Sequence, residues 1–122
     1  MATYEQIEIA IGTHHKWKIR LADAIKTGRS NITVEKIRCD DLCALGMWLN
    51  GPAFSELKDD DSYHRVKELH RVFHQTAADV LELALAGEKM AAEKMMIGRY
   101  AELSANLVAK LKDWQAHLEA AA

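Results

Sequence analysis

The chain has one proline and six glycines in 122 residues, and few runs of β-branched residues, so little in it stops a helix or favours a strand. No apolar run approaches the ~20 residues needed to cross a bilayer, which argues against membrane insertion. Neither sign of charge dominates: 16 Lys and Arg against 18 Asp and Glu leave a net charge of −2, with bases scattered among acids. A nucleic-acid partner is disfavoured on the same ground, because it calls for a basic patch. The opening MATYEQIEIAIG carries acids where a secretory signal has a basic start and an apolar middle, so a cytoplasmic location is expected. In that compartment the two cysteines, Cys39 and Cys43, are expected as thiols rather than a disulfide.

What is abundant is Ala, Leu, Glu, Lys and Met, the residues that form helices readily. The few breakers divide the chain into four predicted helices within one domain, residues 1–122. The first spans about 3–27 and ends at GRSN, where Gly28 suits a left-handed cap. The second is short, about 33–49, and stops at NGP. The acidic connector KDDDS then offers N-cap residues for a third helix over 62–86. Gly87 separates it from a fourth over 88–119. Apolar residues recur on one face of each: Ile7, Ile11, Leu21, Ala22 and Ile25 on the first; Tyr63, Val66, Phe73, Ala77, Leu81 and Ala84 on the third. On the fourth the stripe is Met96, Tyr100, Leu103, Leu107, Leu111, Trp114 and Leu118. The expected architecture is an all-α four-helix bundle with one short helix.

Polar groups on those apolar faces carry the chemistry. His70 and His74 in LHRVFH lie four residues apart, which stacks them one turn apart on one helical face. His14 falls near the middle of the first apolar face, with His15 toward its edge, and Cys43 points inward from the second helix. Burying such groups without partners costs about 1–3 kcal/mol each. One metal ion satisfies all four, and three imidazoles with a thiolate are a tetrahedral set for Zn²⁺ in the bundle core. The competing reading is a set of core histidines bonded to backbone or water.

Around these ligands, Trp17 and Trp48 read as packing residues and Gly46 as a point of close helix approach. Cys39, one turn before Cys43 on a continuous helix, reads as a small core residue, with a spare ligand or resolving thiol as the alternative. Asp40 and Asp41 are either partners of a ligating imidazole or solvated acids at a helix start. His15, His64 and His117 are assigned to the surface or bundle edge.

In this order and spacing the residues resemble the chemoreceptor zinc-binding (CZB) domain. His14 with Trp17, then Cys43-x-Leu45-Gly46-x-Trp48, then His70-x-x-x-His74 match its pattern. The resemblance implies a homodimeric bundle that holds zinc through His14, Cys43, His70 and His74. It also implies a role in cytosolic bacterial signalling with a chemoreceptor or a diguanylate cyclase as partner.

Four protein ligands leave no open coordination position, and Arg71 stands where a His-Glu-x-x-His protease has its glutamate, so no enzymatic activity is expected. The favoured reading is a sensor of zinc occupancy, with oxidation of the cysteine ligand as a second input. The alternatives are a structural zinc dimerisation module and a hemerythrin-like di-iron bundle, which would need inward carboxylates.

Overall fold

A computed structural model describes residues 2–39 and 43–121, and the described chain contains helices without strands. Helix α1 spans Ala2–Thr27, α2 Val34–Arg38, α3 Ala44–Asn50, α4 Pro52–Leu57 and α5 Asp61–Leu85. Helix α6, Lys89–Met95, passes through a π-helical segment, Met96–Tyr100, into α7, Ala101–Ala121. Three long rods (α1, α5 and α6–α7) pack on one another, and the short helices α2–α4 fill the fourth place in the bundle.

The apolar stripes explain this arrangement. All six named residues of the α5 stripe are buried, as are Tyr100, Leu103, Leu107, Leu111 and Trp114 on the last rod. On α1 the buried set is Ile7, Ala10, Ile11, Leu21, Ala24 and Ile25. Ala22 is a correction to the predicted face: it is exposed, because the inward line passes from Leu21 to Ala24 and Ile25 by steps of three and four. The predicted helix ends are close to those observed. Gly28 and Gly87 take φ of 72° and 81°, the left-handed conformation expected where the chain leaves a helix. Asp60 caps α5 by accepting a bond from the Ser62 N–H at 2.8 Å.

The second predicted helix is the main departure. It is two helices, α2 and α3, and both flanking cysteines adopt extended backbone: Cys39 ends α2 and Cys43 caps α3. Thr33 starts α2 by accepting from the Lys36 N–H at 3.2 Å. With no continuous helix, Cys39 and Cys43 no longer share a face, and Cys39 is exposed rather than in the core. Asp40 and Asp41 lie outside the described residues. A further helix also stands where a connector was expected. Pro52 begins α4 at a first-turn position, where its missing N–H costs nothing.

Candidate metal centre

The extended backbone of Cys43 places its sulfur over the first turn of α3, where the Gly46 N–H donates to Sγ at 3.3 Å. Gly46 is itself buried. From the facing side, α5 presents His70 and His74 one turn apart, their ring centroids separated by 4.5 Å at an interplanar angle of 76°. Cys43 Sγ lies 3.2 Å from His70 Nε2 and 3.4 Å from His74 Nε2. All three donor atoms fall within 4.8 Å of one another.

These separations can be tested against a metal. Zn–S bonds of about 2.3 Å and Zn–N bonds of about 2.0–2.1 Å at tetrahedral angles put sulfur and nitrogen roughly 3.5 Å apart. The observed distances are within a few tenths of an ångström of that, so the donor set fits zinc. His74 is further prepared by its other nitrogen. Its Nδ1–H donates to the Ile37 carbonyl at 2.6 Å, and a carbonyl can only accept, so Nε2 keeps its lone pair for the centre. Among the described residues no carboxylate joins the cluster, so these residues supply no bridging acid of the kind a di-iron site uses.

His14 lies beside the cluster rather than in it. Its ring is buried and packs at a tilt of 47° with its centroid 4.2 Å from that of Phe73, while Nε2 shares a 2.7 Å hydrogen bond with Ser104 Oγ on α7. Even so, His14, Cys43, His70 and His74 line one cavity, which Trp17 and Phe73 also border, and its volume is about 20 Å³. A space of that size holds one ion or one water and no organic substrate. Trp17 closes it with an edge-on ring 6.4 Å from His74, and Arg20 sits over the outer indole face at 5.2 Å. Trp48 is half-buried and packs on Trp114 at 5.6 Å. His15, His64 and His117 are exposed as expected, and the His64 Nε2–H donates to the Lys58 carbonyl.

Electrostatics favours the form of each ring that binds metal. Burial, followed by the neighbouring His15 and His74, pushes His14 down to about 4. Burial, followed by His74 and His14, pushes His70 down to about 3. Both are neutral at neutral pH. An unfolded imidazole titrates near 6.5, so as the pH falls the unfolded chain takes up these protons first. The contribution to stability is therefore complete above about pH 6.5 and is lost as the pH falls toward 3–4. In chelator-treated protein the melting temperature is expected to decline already between pH 6.5 and about 5, above the ordinary carboxylate range. A flat profile across that window would show that the rings are not held neutral.

A family model described as the chemoreceptor zinc-binding domain matches residues 14–81, more than half of the chain. The chain belongs to this family. The match to the CZB model begins at His14 and runs past His74, so it spans every candidate ligand and both halves of the broken helix. No curated protein and no solved structure matches the chain. CZB is a zinc-binding domain of chemoreceptor-type signalling, in keeping with the Cys43–His70–His74 cluster. Among the described residues no helix is long and apolar enough to cross a membrane.

Two features of the centre had no sequence signal or a faint one. The Ile37 carbonyl is backbone and carries none. Ser104 carries only its place beside Leu103 at the margin of the α7 stripe, and its half-buried setting is seen in the structure alone.

Proposed function

We propose that this CZB domain is a non-catalytic zinc sensor with His14, Cys43, His70 and His74 as its ligands. The observation that carries the reading is the convergence of Cys43 Sγ with two imidazole nitrogens in a buried cavity of single-ion size. When bound, zinc would join α1, α3 and α5 through one centre, so that binding energy becomes conformational energy. The protein's own part is orientation. The Ile37 carbonyl holds the His74 tautomer, the Gly46 N–H stabilises the sulfur, and Trp17 and Phe73 limit water. Loss of the ligands' common partner would loosen the Cys43 end of α3, a short helix, and change the surface shown to a signalling partner.

In this reading the domain acts in the cytoplasm as a homodimer coupled to a chemoreceptor or a cyclic-di-GMP enzyme. A second copy is supported by a groove between α1 and the last rod, lined by Ala22, Ile25, Met90, Met96 and Ile97 together with Glu93 and Lys94; Met90 and Ile97 are largely exposed. Cys43 is half-buried, so a peroxide could reach its thiolate, transfer oxygen to sulfur and release hydroxide; the sulfenic acid formed is a poorer ligand. Elemental analysis together with competition by chelators of graded strength tests the proposal. About one zinc per chain, exchanging with chelators of intermediate strength, is the expected result. A chain that takes up no zinc is not a zinc protein, and zinc that no chelator removes is structural rather than sensed.

A further inference from the structure

The rotamer of His14 carries an inference that rests on the metal reading above and goes beyond it. The family match ends at residue 81, whereas the partner of His14 is Ser104, on the last rod of the bundle. His14 is the one candidate ligand whose nitrogen lies outside the donor cluster, although its ring borders the same cavity. It is buried, its Nε2 is already bonded at 2.7 Å, and Ser104 is half-buried beside it. To reach an ion held by Cys43, His70 and His74 through Nε2, the ring must break that bond.

We infer that Ser104 is a latch for His14: its hydroxyl holds the imidazole away from the centre and competes with the metal for the same nitrogen. His14 then has two positions, on Ser104 or on zinc, and the centre alternates between three and four protein ligands. Phe73, with its ring 4.2 Å from that of His14, supplies an apolar surface against which the imidazole can turn. The latch sets affinity and release without touching the ion. It also links occupancy to α7, because α1 and α7 are joined through this bond only when His14 is off the metal. Ser104 is thus a positioning residue, acting through His14.

The sign of the effect separates this role from ordinary support of a bound ligand. Removing a competing hydrogen bond, worth about 0.5–1.5 kcal/mol, should tighten zinc binding about two- to thirteenfold. The S104A chain is therefore expected to have a lower zinc Kd and to transfer zinc to a chelator more slowly by a similar factor. In an H14A background, whose fold is checked by helical circular dichroism, S104A should change neither quantity. Ring-nitrogen NMR supplies a measurement that needs no variant: His14 Nε2 should leave its serine-bonded shift when zinc is added to the wild-type chain. Weaker or unchanged zinc binding in S104A overturns the latch, as does an equal effect without His14 or a His14 resonance indifferent to zinc. A wild-type chain that binds no zinc removes the metal reading and the latch together, whereas a zinc-binding chain that S104A leaves unaltered removes the latch alone.

Discussion

Cys43→Ala is expected to weaken zinc binding by about a hundred- to a thousandfold. Structural zinc sites contribute about 10–16 kcal/mol at neutral pH, so in the proposed set of four one ligand accounts for roughly 2.5–4 kcal/mol, or about two to three powers of ten. Sulfur is the only soft donor in the cluster, and its loss also removes the acceptor of the Gly46 N–H at the start of α3. The variant should therefore lose discrimination for zinc over harder divalent ions along with affinity. Because Cys43 is half-buried at a helix end, the fold itself should survive, and metal-free wild type and variant should melt within a few degrees of each other. Titration of both proteins against a fluorescent zinc chelator decides the matter. Full zinc affinity in the variant would take sulfur out of the ligand set.

The largest expected loss of stability comes from a residue that touches no ligand. Trp114 is fully buried on α7, with its ring 5.6 Å from Trp48 and 6.3 Å from Tyr63. Its Nε1–H donates to Asp60 Oδ2 at 3.3 Å, the same carboxylate group that caps α5. The Tyr63 hydroxyl in turn donates to the Leu49 carbonyl at the end of α3. One indole thus joins α3, α5 and α7 at the end of the bundle away from His14, His70 and His74. Truncation to alanine removes its dispersion contacts and leaves a large cavity, which for Trp costs about 3–5 kcal/mol. For a domain of this size that corresponds to a melting temperature lower by roughly 10–20 °C. Trp114 lies ten residues beyond Ser104, about 15 Å along the helix, so the folded variant should still bind zinc with near wild-type affinity. Thermal melts of the chelated proteins measure the first effect and zinc titration in the cold measures the second. A stability change under about 1 kcal/mol would mean that the aromatic cluster is not what holds this end together.

The same division runs through the fold. Periodicity was sufficient where a rod is long. The α5 stripe from Tyr63 to Ala84 and the α7 stripe from Tyr100 to Trp114 face inward as read, because the 3.6-residue repeat ties each side chain to a direction once the helix is regular. It was insufficient over residues 33–57, where the helices run for only five to seven residues and the cap residues Cys39 and Cys43, between α2 and α3, are extended. There the one-turn relation of Cys39 to Cys43 dissolved, and Cys39 turned outward.

Residue types and spacing alone determined an all-helical chain, its long-helix boundaries, the inward histidines of α5, and a chemistry of soft sulfur with imidazole suited to zinc. Those properties are local, set by propensity, capping and the helical repeat. The tertiary structure alone decided that Cys43 caps a helix with its sulfur between His70 and His74, that the Ile37 carbonyl selects the His74 tautomer, and that His14 rests on Ser104. Each of these is a contact between segments 27 to 90 positions apart. Such contacts depend on which rod packs against which and on the rotamer each side chain takes there, and no pattern within a single helix encodes that.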